Sequence, residues 1–205
     1  ITIVLGSLVA LAQDNLKRRL AYSTIGHLSY IVLAAALVHP DAFVGGILHI
    51  TTHATMKITL FFVAGAIYVH AHRDRVSQLD GIGRRMPITM TAFTIGALSM
   101  IGLPPAAGLV SKWYLLEGAI DGAWWGVLVV VVVSALLNAA YFLPIVWRAF
   151  FKPLPEGEEA GLKEAPWPCV AALSVTAALT IVLFVFPDVF ADLAAAVAGY
   201  GGGTP

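Results

Sequence analysis

The sequence predicts an all-α polytopic membrane protein with about six transmembrane segments, the first truncated and one a broken helix. Three observations predict it. Charged residues are 12% of 205, about half the roughly 25% of a soluble domain. Hydrophobic residues are 59% and mean hydropathy is +0.86, which leaves too little polar surface to cover a globule. The few charges leave long uncharged runs between them. Twelve basic and twelve acidic side chains cancel, so there is no basic stripe and no expected nucleic-acid partner. High hydrophobicity excludes disorder, and the lone Cys169 excludes a disulfide scaffold.

The segments follow from those runs. Residues 1–13 are apolar but too short to cross. They lack a charged lead-in and a cleavage pattern, so they read as the end of a truncated helix rather than a signal peptide, and the chain is expected to be a fragment. Residues 20–40, 86–111, 122–147 and 165–187 contain no Asp, Glu, Lys or Arg. Residues 42–72 contain one charge, Lys57, with fifteen uncharged residues on either side. Each of these runs is long enough to span, and only helices satisfy their own backbone in lipid without closing a barrel.

Basic residues then orient the segments. Lys17, Arg18 and Arg19 lie in the first connection, Arg73, Arg75, Arg84 and Arg85 in the third, and Arg148, Lys152 and Lys163 in the fifth. The second (His39 to Asp41) and fourth (Glu117 to Gly122) have none. The positive-inside rule makes the odd connections cytoplasmic and both termini extracytoplasmic, in a multi-pass protein of the inner (cytoplasmic) membrane. Trp147 and Trp167 then fall near one interface, Trp124 and Trp125 near the other. Asp14 and Lys17 read as a surface pair. His39, His70 and His72 read as solvated.

Two lysines remain unexplained by topology. Lys57 is central in its segment, and His49, His53 and Lys57 recur every four residues, one stripe on a helix. An ammonium at bilayer depth costs at least about 2.5–3.5 kcal/mol, so it must face a bundle interior or wet cavity, and fifteen uncharged flanking residues on either side are too many for snorkelling. A proton relay explains its presence; pairing with a neighbouring helix is the structural alternative. His-x-x-x-His also has metal-ligand spacing, but Ile50 stands where a metalloprotease has Glu, and no carboxylate or Cys completes a site. No metal and no cofactor are expected.

Lys112 lies in a run too long for one straight span: Pro87 to Gly118 is 32 residues, about 48 Å if straight, against a core of about 30 Å. Pro104-Pro105, flanked by Gly102 and Gly108, are expected to break the helix. A broken helix carrying a lysine suits an ion site; an outer-interface lysine is the alternative, and spacing does not choose. Ser111 and Lys112 are adjacent, so a Ser–Lys nucleophilic dyad is disfavoured. Ser134, Asn138 and Tyr141 share one face of the fifth segment and are candidates for a water path or for helix–helix hydrogen bonds. His27, among Ser23, Thr24 and Ser29, is a further relay candidate.

At these residues the chain resembles a known family. Asn15 to Leu28, His49 to Lys57, the Gly81-Ile82-Gly83-Arg84-Arg85-Met86-Pro87 loop and the stretch from Gly102 through Pro104-Pro105 to Ser111-Lys112-Trp113 are similar to the proton-translocating antiporter-like membrane subunits. These belong to respiratory complex I, membrane-bound hydrogenases and multisubunit cation/proton antiporters. Ile58 to Ile67 is most similar to the D-subunit type. The resemblance implies two inverted repeats, each with a broken helix, of which this chain carries the second repeat (1–151), a cytoplasmic loop (152–166) and a final helix with an extracytoplasmic tail (167–205). It implies Lys57 as the central-axis lysine, His49 and His53 as axis histidines, and Lys112 as the ionisable residue of the outward half-channel. Lys17 matches a family lysine, although its Lys-Arg-Arg cluster suits topology better. His27 stands where many members carry Gln or Ser.

The expected function is proton translocation, with Na⁺ as a candidate exchanged ion, along a buried Lys/His/water axis within a multisubunit membrane complex. Expected partners are other membrane subunits, the missing N-terminal repeat of the same subunit, H⁺ and the lipid bilayer. One alternative is a subunit of a redox-driven NADH:quinone oxidoreductase-type complex or hydrogenase; another is a structural subunit without its own ion path. No catalytic centre is visible: an intramembrane hydrolase needs a nucleophile–base pair or a metal triad at depth.

Overall fold

A computed structural model describes residues 1–155 and 161–199. The chain is all-helical among the described residues: α1 (Thr2–Ala12), α2 (Leu16–Ala36), α3 (Pro40–Ala71), α4 (Pro87–Ile101), α5 (Gly108–Asp121), α6 (Trp125–Phe151), α7 (Trp167–Val185) and α8 (Asp188–Val197). Three of them, α3, α6 and α7, are long and apolar enough to cross a membrane. Their outward faces carry large exposed apolar side chains such as Phe62, Val132, Leu136, Leu143, Val175 and Val182, a surface that needs lipid rather than water. The chain is a multi-pass membrane protein.

The central element is α3. Its 32 residues make a rod of about 48 Å, and it packs on α2, α4, α5, α7 and α8. Close approach needs glycine at two points: a Cβ on Gly45 would lie 2.7 Å from the Leu115 amide nitrogen, and one on Gly46 2.7 Å from the Ala34 Cβ. Small residues at crossings replace the hydrophobic driving force that lipid does not supply. Met56 and Leu60 of α3, Met90, Phe93 and Met100 of α4 and Phe142 and Ile145 of α6 form the main core.

The helix that starts at Pro87 stops at Ile101, with Gly102 in the left-handed region at φ 91°, and resumes at Gly108. Freed backbone groups find partners, as a non-helical stretch inside a membrane requires. The Ala107 amide donates to the Thr180 carbonyl of α7 at 3.3 Å, and the Gly108 amide to Ser99 Oγ at 2.9 Å.

Several expectations need correction. Asp14 does not form the expected pair with Lys17: its carboxylate accepts from the Ser77 amide and hydroxyl at 3.0 and 2.7 Å, while the Lys17 ammonium lies 4.6 Å from the Tyr68 ring centroid. Arg19 is buried rather than solvated with its basic neighbours, because three carbonyls, Gln13, Tyr141 and Leu11, surround its guanidinium. Pro40 and Asp41 already belong to the first turn of α3, where Pro is suited to N1. Glu117 to Asp121 are still helical. The expected tail contains α8, whose Ala191 and Ala194 pack on Val44 and Leu48; residues 200–205 of that tail, and 156–160 of the expected loop, lie outside the described residues.

Candidate functional site: a buried Lys/His row

Helical spacing on α2 puts Leu20, Ser23, His27 and Tyr30 on its buried face. The facing side of α3 presents His49, Thr52, His53, Met56 and Lys57, all buried. From the broken helix come Ser111 and Lys112, and from α6 Ser134, Asn138 and Tyr141, also buried. Four helices, α2, α3, α5 and α6, therefore bring the sequence-predicted residues into one polar row inside an apolar bundle.

Lys57 lies at one end. Its ammonium donates to the Leu20 carbonyl at 3.0 Å and to Ser23 Oγ. Lys112 lies at the other, donating to the Met100 and Ile101 carbonyls at 2.8 Å each, with the Tyr30 ring centroid 5.6 Å away. Both carbonyls end α4, so Lys112 of α5 caps the helix before the break, a favourable place for a cation. Neither lysine has a carboxylate partner among the described residues.

Histidines fill the space between. His27 Nδ1 is 3.3 Å from His49 Nε2, and His49 Nδ1 is 2.9 Å from Ser111 Oγ. The His27 and His49 rings stack at 5.4 Å and 11°, and His53 stands 5.8 Å from His27. His53 Nε2 and the Tyr30 hydroxyl are buried without a hydrogen-bond partner, the kind of orphaned group that ordered water satisfies. Asn138 Nδ2 reaches His27 Nε2 at 3.1 Å and the Met100 carbonyl at 3.2 Å, and the Tyr141 hydroxyl donates to Asn138 Oδ1.

Adjacent Ser111 and Lys112 take different partners, so no nucleophilic dyad forms. His39 pairs with Asp41 at 3.7 Å, and with Asp121 they place ligand-type atoms within 4.8 Å of one another, away from the row. Tyr30 is a row member that residue reading missed, and Ser111, weighed there only as a dyad partner, joins the row through His49. Thr52 Oγ1 donates to Ser111 Oγ at 3.3 Å. The available signal for Tyr30 was its i+3 spacing from His27.

Fold and site together define a multi-pass helical membrane protein with a broken helix and two lysines buried along a histidine row. A family model described as NADH:quinone oxidoreductase/Mrp antiporter, TM, matches residues 1–138, and the chain belongs to that family. It is 46% identical over 154 residues to NADH-quinone oxidoreductase subunit N of Desulforudis audaxviator (strain MP104C), covering 75% of this chain and 31% of that protein. It is 32% identical over 203 residues to F(420)H(2) dehydrogenase subunit N of Methanosarcina mazei, covering 95% and 41%. The chain thus spans less than half the length of these relatives. The solved Mrp complex from Dietzia sp. DQ12-45-1b contains a chain with a TM-score of 0.88 at 24% identity, over 97% of this chain and 45% of that one, which shows the fold alone. A chain of the membrane-bound sulfane sulfur reductase, an archaeal respiratory membrane complex, gives a TM-score of 0.86 at 28% identity, covering 98% and 40%.

Proposed function

We propose that this chain carries protons along the Lys57–Lys112 row as part of a larger antiporter-like subunit. The observation that carries the reading is the succession of polar groups between two buried lysines that have no carboxylate partner among the described residues. Lys57 reaches Ser23, whose hydroxyl donates to the Leu20 carbonyl and stands beside Tyr141; Tyr141, Asn138, His27, His49 and Ser111 are then linked by hydrogen bonds, and the Met100 carbonyl accepts from both Asn138 and Lys112. At an effective dielectric near 20, two charges 4 Å apart interact by about 4 kcal/mol, enough to move a proton between neighbours by shifting a pKa about three units. The ligand set favours H⁺ over Na⁺: hard cations want several oxygens, and here lysines and histidines dominate while the Leu20, Met100 and Ile101 carbonyls are already engaged.

In this reading residues 1–151 are the second antiporter-like repeat, 152–166 a cytoplasmic loop, and 167–205 a final helix and extracytoplasmic tail in the inner membrane. The partners are other membrane subunits and an N-terminal repeat of the same subunit. A specific observation favours a redox-driven parent complex over a D-subunit-type antiporter: the two relatives above are named as quinone oxidoreductase and F(420)H(2) dehydrogenase subunits. The test is Lys57→Ala in the full subunit within its complex, reconstituted in proteoliposomes. Proton flux is expected to vanish while membrane insertion is unchanged; unchanged flux overturns the relay.

A further inference from the structure

The row has a direction, and one residue sets it. Asn138 turns its amide nitrogen toward both the Met100 carbonyl, at 3.2 Å, and His27 Nε2, at 3.1 Å. A backbone carbonyl only accepts, so the NH₂ group must lie on that side and the amide cannot be flipped; the Tyr141 hydroxyl donating to Oδ1 agrees. The second N–H then points at His27 Nε2, which must be bare. A neutral imidazole has one N–H, so the His27 proton sits on Nδ1, 3.3 Å from His49 Nε2. That nitrogen must accept, which leaves the His49 proton on Nδ1, 2.9 Å from Ser111 Oγ. Ser111 in turn donates to the Gly108 carbonyl at 3.3 Å.

We infer that Asn138 is a positioning residue that locks His27 and His49 in the Nδ1–H tautomer and so gives the row one polarity, from α6 to the start of α5. Its functional sense rests on the proton-relay reading above; the tautomers themselves do not. An amide side chain neither takes up nor releases a proton in the working pH range, so Asn138 links Tyr141 to His27 without itself passing a proton. The basic lone pair that this arrangement leaves on His27 is the one the Asn138 N–H covers. A proton enters at His27 Nε2 only when that amide swings away. The His27 Nδ1 proton then passes to His49 Nε2, the His49 Nδ1 proton to Ser111 Oγ, and the Ser111 hydroxyl proton to a water molecule. Each residue keeps its proton count and both histidines are left as the Nε2–H tautomer; the amide donates to His27 Nε2 again only after each imidazole has reoriented or exchanged its proton with water to restore Nδ1–H. Because the Met100 carbonyl also holds Lys112 at 2.8 Å, any movement of the Lys112 ammonium alters one of the two contacts that hold the Asn138 amide nitrogen.

The experiment is solid-state NMR of the full subunit in its complex, with ¹⁵N-labelled histidine and signals assigned through His27→Gln and His49→Gln variants. Both histidines are expected to show a bare Nε2 and a protonated Nδ1. In Asn138→Leu, which cannot donate, the ratio of Nε2–H to Nδ1–H forms is expected to rise at least about fivefold, the weight of one hydrogen bond. His49, which residue 138 does not touch, should shift together with His27. Ser111→Ala removes a hydroxyl that can accept from or donate to His49 Nδ1 and so favours neither tautomer; it should leave both as they are. A protonated Nε2 on either neutral histidine in the unaltered protein overturns the inference, as does an Asn138→Leu spectrum that matches it or a Ser111→Ala spectrum that shifts in the same way. The unaltered protein alone tests the assignment if Asn138→Leu fails to assemble. Unchanged flux in Lys57→Ala retires the relay and leaves the tautomers standing; a wrong tautomer retires the lock and leaves the relay standing.

Discussion

The Lys112 ammonium and the Asn138 amide share one acceptor, the Met100 carbonyl, at 2.8 and 3.2 Å. Lys112 closes the C-terminal end of α4, and in the proposed relay it has a second, separable job, carrying a titratable charge at the row's end. Arginine separates them, since it donates as well as lysine but does not release its proton. Lys112→Ala is expected to lower stability by about 1.5–3 kcal/mol, the weight of a charged hydrogen bond, and to stop proton flux. Lys112→Arg should regain much of the thermal stability while flux stays abolished. Flux restored by arginine, measured in proteoliposomes beside a thermal melt, would assign Lys112 a purely structural role.

Glu164 caps a helix that its own sequence leaves uncapped. Met86, at the N-cap of α4, offers no side-chain acceptor, and Glu164 from the segment before α7 accepts from the Ile88 amide at 2.6 Å, the Thr89 amide at 3.4 Å and the Thr89 hydroxyl at 2.6 Å. A carboxylate there also meets the positive end of the helix dipole. Glu164→Ala should cost about 0.5–2 kcal/mol, and Glu164→Gln less, both read as a lower melting temperature with flux per assembled complex unchanged.

The pattern of segments was legible because charge is so expensive in lipid that its absence marks each span. The same cost singled out Lys57 and Lys112. Partners were much less legible. Nothing around Lys112 in sequence says that its ligands are the carbonyls of Met100 and Ile101, since every residue has a carbonyl and only the break at Gly102 to Gly108 leaves those two unpaired. Asn138 could be placed on a face of α6 but not against His27, 111 positions away. Asp14 was misread because local spacing suggested Lys17, whereas a chain crossing at Asn15 and Arg75 brings Ser77 to it. The α8 helix was missed because α7 already accounted for the last spanning run.

Asp14 gives the loops an acid dependence. Its carboxyl is held below its ordinary value of 3.8, chiefly by the Ser77 hydroxyl, against the opposing effect of burial, which is next in size, and with further lowering from the Ser77 amide and the Arg75 and Arg19 charges. A carboxyl whose folded pKa is depressed adds stability above its unfolded pKa, and that contribution is lost as pH falls through the folded value. The stabilisation is thus complete above about pH 4–5 and fades below. The group is exposed, so the effect is small. Ser77→Ala should return the Asp14 titration toward 3.8, and Asp14→Asn should flatten the acid limb of a stability–pH curve. An acid limb identical in all three proteins would remove Asp14 from the account.

Arg19 is the costliest cation to have been counted as a loop charge. It is 8% exposed, and its guanidinium donates to Gln13 and Leu11 at the end of α1, at 2.8 and 3.4 Å, and to Tyr141 in α6 at 2.9 Å. One side chain thereby ties α1, α2 and α6 together beside the Tyr141 end of the row. Removing it leaves three carbonyls in an apolar setting, at about 1–3 kcal/mol for each that finds no other partner. Arg19→Met keeps the packed length and loses all the donors, so a loss of at least about 2 kcal/mol is expected. Arg19→Lys keeps the charge with a different donor geometry and should recover only part of it. Because Arg19 also backs the turn of α6 that carries Tyr141, Arg19→Met should lower flux per assembled complex too. Thermal melts and proteoliposome flux on the same preparations check both; a methionine variant as stable as the unaltered protein would show that the three carbonyls find other donors.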